Sequence, residues 1–305
     1  YYVCSFKERM HETDVDKFIR IVNAKIYKDE TNVYSNRTSI VCMKHNAEKE
    51  IDITSIVTSA NAKISLQGID NLIFVKLDDG DTVAINIDNS NIEWQYKGRN
   101  VPLSMKGSGS IAKLNNNLFI ARDDGNLISL RMKTGKLNWL MSISPRSGRN
   151  ELESLRDIEM TPYVKDGVLF VGSFQGNLIS VDALTGNLIW SIPMSVLSNI
   201  DIDNNYVYIA DSNGSIFALD RFSGFTKWKL DLDDNLVGTQ SFSYNKYIIN
   251  ISTKGHVMVI NKSDGQLMTS LSLINDVDNQ VKGLLLDKTL YIHSKDGRLN
   301  AIKID

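Results

Sequence analysis

The chain has 305 residues, 42% of them apolar and 23% charged, which is enough to bury a large core and too balanced for a disordered or fibrous protein. Lys and Arg number 34 against 36 Asp and Glu, a formal net charge of −2. With no basic surplus to neutralise a phosphate backbone, nucleic acid is not an expected partner. No apolar run approaches the roughly 20 residues of a membrane helix, and two cysteines, Cys4 and Cys42, are too few for a disulfide framework or a zinc cluster.

Residues 1–35 form an N-terminal segment whose only strand-like patterns are the weak pair Phe18–Val22 and Lys25–Tyr27. From residue 36 to 305 the chain repeats, with a period near 40 that decides the fold. The first copy, NRTSIVCMKHNAEKEI (36–51), is weak and ends on Ile51. Four strong copies follow: DGDTVAINIDNSNIEW (79–94), DGNLISLRMKTGKLNW (124–139), QGNLISVDALTGNLIW (175–190) and NGSIFALDRFSGFTKW (213–228). In these, Trp94, Trp139, Trp190 and Trp228 each stand fourteen residues after a glycine. KGHVMVINKSDGQLMT (254–269) carries Thr269 in the tryptophan slot, and the chain ends inside DGRLNAIKID (296–305), so seven copies are visible. Cys42 falls in the column occupied by Ile85, Leu130 and Val181 and is expected in the core.

Each copy reads as strand, tight turn, strand. The run Asn177–Val181 is apolar on nearly every residue, as a strand packed between two sheets requires. The following Asp-x-x-x-Gly supplies the φ > 0 residue of a short hairpin. Another pair of short strands precedes each copy, as in Pro162–Gly172. Four strands per 40 residues predicts an all-β fold, a β-propeller of four-stranded antiparallel blades. A tryptophan closing the fourth strand is expected to lie over the neighbouring blade's turn as a docking device.

The period is violated once. Equivalent positions lie 51 residues apart between Gly125 and Gly176, against 38 to 45 elsewhere. The surplus falls in residues 144–162, SPRSGRNELESLRDIEMTP, where leucines stand among charges of both signs. That mixture fits a protein-binding surface better than a substrate pocket, and an ordinary solvated loop is the alternative. Catalytic signatures are missing: there is no Cys-Cys pair, no Gly-x-Ser-x-Gly, no phosphate loop and no H-E-x-x-H. His11, His45, His256 and His293 have no second histidine at metal-ligand spacing. Asp201–Asn205 and Asp231–Asn235 resemble the start of a calcium loop but lack its glycine and terminal glutamate, so inter-strand turns are expected there.

The pattern Gly-x-Leu-x-x-(Val/Leu)-(Asp/Asn)-x-x-(Thr/Ser)-Gly-x-x-x-Trp resembles the tryptophan-docking repeat of PQQ-like, quinoprotein-type propellers. Residues 151–162 and Pro102–Ser110 are further similar to two loops of the BamB family, propeller lipoproteins of the outer-membrane β-barrel assembly (BAM) machinery. The resemblance covers residue 36 to the end. It implies eight blades, whereas about 42 residues per blade in a chain of this length gives seven; eight is the expectation adopted, with residues 1–35 supplying closing or degenerate blade strands and a tether.

In that family the two loops bind the periplasmic domains of the insertase BamA. The resemblance carries this role to Leu103, Met105 and Lys106 in the first loop and to Asp157 and Glu159 in the second, beside Leu155 and Arg156. Lys in place of the family's arginine gives up a two-pronged contact. Cys4 is the position for a lipid anchor, an inert cysteine being the alternative. Implied together are a non-enzymatic scaffold at the periplasmic face of a bacterial outer membrane with no cofactor, a BamA-like partner, and unfolded outer-membrane proteins as clients held by β-augmentation. The rival is a PQQ-like propeller that binds a small ligand or is a quinoprotein dehydrogenase relative.

Overall fold

The computed structural model describes residues 3–6, 39–44, 47–52, 65–69, 71–77, 80–98, 111–143, 158, 160–196, 198–232, 238–252, 254–272, 281–286, 288–294 and 299–304. They hold seven antiparallel sheets, one for each visible copy of the repeat. The first sheet joins β1 (Val3–Phe6), β2 (Ser39–Lys44) and β3 (Ala47–Asp52). The second joins β4 (Ser65–Ile69), β5 (Leu72–Lys76), β6 (Thr82–Asn86) and β7 (Ile92–Tyr96), and the third β8 (Ile111–Leu114), β9 (Asn117–Ala121), β10 (Asn126–Arg131) and β11 (Leu137–Ser142). The fourth holds β12 (Tyr163–Lys165), β13 (Val168–Gly172), β14 (Asn177–Asp182) and β15 (Leu188–Pro193). The fifth holds β16 (Asp201–Ile202), β17 (Tyr206–Ala210), β18 (Ser215–Asp220) and β19 (Thr226–Asp231). The sixth holds β20 (Gly238–Tyr244), β21 (Tyr247–Ser252), β22 (His256–Asn261) and β23 (Leu267–Ser272), and the last β24 (Val281–Leu286), β25 (Thr289–Ser294) and β26 (Leu299–Lys303). Strands neighbour one another in chain order within every sheet, the up-and-down meander of a propeller blade. The chain divides into two compact units, Tyr1–Val164 and Lys165–Asp305.

The second and third strands of the five four-stranded sheets are buried along nearly their whole length, as in β13 and β14, while the fourth is largely exposed, as in β15, where Trp190 alone is buried, and in β23, which is exposed throughout. The core therefore lies between successive sheets. Phe74, Ala84 and Trp94 of one sheet pack with Ile111, Leu118, Ile120, Ile128 and Leu130 of the next. Tyr208, Ala218 and Trp228 pack in the same way with Ile248, Met258 and Ile260.

A three-residue row across each strong blade explains the slim residue in the repeat. Phe74 pairs with Ala84 and Ala84 with Trp94; Phe119, Ser129 and Trp139 form the same row, as do Phe170, Ser180 and Trp190 and Tyr208, Ala218 and Trp228. Directly opposite residues share a sheet face, so the small central residue leaves room for two rings. The ring centroids stand 5.8, 5.9, 5.9 and 6.2 Å apart, within the range of favourable aromatic pairs. A register shift follows the small residue in every case, the bulge that bends the outer strand. The Ser180 hydroxyl is buried there with no hydrogen-bond partner, and three other copies use alanine at this place, Ala84, Ala218 and Ala301. Ser180→Ala is expected to leave stability unchanged or raise it by up to about 1 kcal/mol, read from urea denaturation midpoints.

The hairpin from third to fourth strand is built as the spacing predicts. Gly135, Gly186, Gly224 and Gly265 have φ between 64° and 76°, and their N–H groups bond the carbonyl four residues back, at 2.8 to 2.9 Å. Within two of these turns Thr185 and Ser223 donate to Asp182 and Asp220. The Thr185 backbone N–H for Asp182, and the Ser223 hydroxyl for Asp220, hold these carboxyls below the usual carboxylate range. The Asp201–Asn205 cluster comprises β16 and the turn that follows it, in which Asp203 accepts the backbone N–H groups of Asn205 and Tyr206.

Candidate partner-binding surface

In an up-and-down blade, the connection from a fourth strand to the next first strand leaves from the end that carries the second-to-third strand turn. Both predicted loops are connections of this kind: 102–110 joins β7 to β8, and 144–162 joins β11 to β12. Leu103, Met105, Lys106, Leu155, Arg156, Asp157 and Glu159 themselves lie outside the described residues. Their stems do not.

The first stem is held by the turn between β5 and β6. Asp81 accepts the N–H of Gly98 and the side-chain amide of Gln95, both at 2.7 Å. The approach is so close that a Cβ at Gly98 would lie 1.8 Å from the Gly80 carbonyl oxygen, so only glycine passes. The second stem departs at Ile143, which is buried and donates its N–H to the Gly125 carbonyl at 3.0 Å. It returns through Ile158 and Met160, both fully buried.

Between the two sheets that the first loop connects stands a buried ion pair. Lys76 of β5 reaches Asp123, in the turn between β9 and β10, at 2.7 Å, with side-chain exposures of 5% and 12%. Arg122 and Asp124 of that turn pair at 3.1 Å. Oppositely charged groups desolvated together fix relative position more than they add stability, so the pair fixes these two turns relative to one another. The sequence pattern missed Gly98, Asp81 and the Lys76–Asp123 pair; a glycine four residues past Trp94 was the available signal for the first.

Blade docking is where the tryptophan expectation can be checked. Trp94 donates its indole N–H to the Met132 carbonyl at 2.9 Å, Trp190 to Arg221 at 3.0 Å and Trp228 to Lys262 at 2.8 Å, each acceptor lying in the third-to-fourth strand turn of the next sheet. The ring then covers that turn's glycine: a Cβ at Gly135 would lie 2.5 Å from Trp94, at Gly224 3.0 Å from Trp190 and at Gly265 2.6 Å from Trp228. Trp139 is half-buried and packs on Phe119 within its own blade. Cys4 and Cys42 face each other in register on β1 and β2. No group of three or more His, Cys, Asp or Glu suited to a metal ion occurs among the described residues.

Residues 27–230 match the family profile described as outer membrane protein assembly factor BamB. The chain belongs to the BamB family. The BamB of Escherichia coli K12 is 29% identical over 165 residues, covering 54% of this chain and 42% of that protein. The crystal structure of BamB from Moraxella catarrhalis superposes with a TM-score of 0.76 at 20% identity, over 88% of this chain and 79% of that one. This likeness places the blades in a β-propeller. A europium-containing methanol dehydrogenase shares the fold more distantly, with a TM-score of 0.55 at 15% identity over 69% of this chain and 50% of that enzyme. The chain spans about half the length of the curated BamB relatives it matches.

Proposed function

We propose that this chain is a non-enzymatic scaffold of outer-membrane protein assembly, working at the periplasmic face of a bacterial outer membrane. It binds the periplasmic domains of a BamA-like insertase through residues 102–110 and 144–162. Membership of the BamB family supports the general role. The observation that carries the site is the pair of stems: both loops leave the same end of their blades, one clamped by Gly98 on Asp81 and the other by buried Ile143, Ile158 and Met160. Fixed stems reduce the conformational freedom that a connecting segment has to lose on binding.

In this arrangement Leu103, Met105 and Leu155 act as apolar anchors, while Lys106, Arg156, Asp157 and Glu159 set register. Binding energy concentrates in such anchors, and charges supply specificity. Leu103→Asp is expected to weaken capture of the solubilised insertase by about thirtyfold or more with thermal unfolding unmoved. Wild-type affinity in that variant would refute the site assignment.

A further inference from the structure

The opposite end of the blades carries the first-to-second and third-to-fourth strand turns. Within residues 165–305 it presents two features side by side, and neither belongs to the loops above.

One is a pocket of about 670 Å³ lined by Lys165, Lys227, Lys246 and Lys262 and by one carboxylate, Asp203. Asp203 is already engaged by two backbone N–H groups, by the Tyr208 hydroxyl at 2.8 Å and by Lys262 at 3.7 Å. The other lysines meet only neutral groups: Lys165 donates to the Ile202 carbonyl at 3.0 Å, Lys227 to the Tyr206 hydroxyl at 3.1 Å, and Lys246 stands 5.3 Å from the Tyr247 ring centre. Among the described residues no carboxylate lies within ion-pair distance of these three. The pocket therefore holds cationic charge without a counterion.

The other feature is a row of apolar turn tips. Phe222 and Phe225 are 62% and 77% exposed in the β18–β19 turn, which flanks the pocket: Arg221 donates its N–H to Asn205, a pocket residue, and Lys227 follows two places after Phe225. Leu184, 75% exposed, tips the β14–β15 turn. That turn is tied to Gly167 through Ala183, and the adjacent Asp166 pairs with Arg221 at 2.7 Å. Three large apolar side chains project mostly into solvent, Phe222 covering the Arg221 guanidinium at 4.7 Å from its ring centre.

We propose that this end of the blades rests on an anionic lipid surface, with a phosphate headgroup in the lysine pocket and Phe222, Phe225 and Leu184 in the interfacial layer. Protruding apolar tips beside a cationic collar suit an interface whose apolar boundary lies beneath a layer of phosphates. A folded protein partner is expected instead where apolar side chains line a flat or concave, water-excluding patch. The inference is independent of the insertase reading, since it uses other residues at the other end of the blades.

The test is co-sedimentation of the full, unacylated chain with vesicles of equimolar phosphatidylethanolamine and phosphatidylglycerol, against phosphatidylcholine vesicles, at low and high salt. Preferential, salt-sensitive binding to the anionic vesicles is expected. Lys227→Gln with Lys246→Gln should lower the partition coefficient about thirtyfold. Phe222→Ser with Phe225→Ser should lower it at least about tenfold. All four residues are exposed, so thermal unfolding should not move. Equal binding to both vesicle types, or variants that sediment like the parent, overturns the proposal. Calorimetric binding of inorganic phosphate without vesicle binding would make the pocket a small-anion site, and capture of polyglutamate in preference to vesicles would make it a protein site; either result also overturns it.

Discussion

Trp228→Ala lowers the free energy of unfolding by about 3–5 kcal/mol, the expected result if tryptophan docking holds the blades together. Trp228 is 7% exposed, its ring stands 6.2 Å from Tyr208, and its indole N–H is spent on Lys262 of the next sheet. Truncation opens a cavity between two sheets that cannot collapse, because the bulge and the turn on either side are hydrogen-bonded in place. Trp228→Phe separates the contributions: much of the ring volume stays and the Lys262 carbonyl loses its donor, so about 1–2 kcal/mol is expected. Circular dichroism in guanidinium reads both without relying on the tryptophan removed. Equal losses in the two variants would show that the hydrogen bond, not the ring, makes the joint.

Asp123→Asn is the second large effect, at about 3–5 kcal/mol. The cost arises on the partner, because Lys76 keeps a positive charge at 5% side-chain exposure with its counterion gone. Pairing Asp123→Asn with Lys76→Met removes both charges and is expected to recover most of the loss. The double-mutant cycle then gives a coupling energy of at least about 2 kcal/mol. Because the pair joins the two sheets bridged by residues 99–110, the single variant should also weaken insertase capture, and the double variant should restore stability more fully than capture. A cycle that closes to zero coupling would mean that water, not the protein, compensates Lys76.

The blade architecture was legible because each element of the repeat has a local cause. Asp182 and Gly186 encode their hairpin by themselves, and the phase of the tryptophans encodes the joint between sheets. Even the exception is consistent: where Thr269 replaces tryptophan, its cross-strand partner is Val259, since no ring needs the room that Ala218 or Ser180 leaves. The ion pair between the two sheets was not legible. Lys76 and Asp123 are 47 residues apart and neither position differs in type from ordinary surface residues. Gly98 resembles any loop glycine until the Gly80 carbonyl is placed against it. The lysine pocket gathers residues from four strand ends and turns, and a near-neutral total charge conceals such local surpluses.

The residue that receives each docking tryptophan does a second job with the same peptide unit. Met132, Arg221 and Lys262 accept the indole through their carbonyls and donate their own N–H groups to Asn116, Asn205 and Lys246 in the first turn of their blade. Load on an outer strand thus passes through the indole and a single peptide unit to the next blade's first hairpin. The side chains at these three positions add contacts that differ from joint to joint, Met132 packing in the cluster around Trp94, Arg221 pairing with Asp166 and Lys262 with Asp203, and a thioether, a guanidinium and an ammonium can occupy one structural place because the shared joint runs through the peptide unit. A face of the molecule assembled on such joints can exchange its chemistry residue by residue while the mechanical connection beneath stays the same.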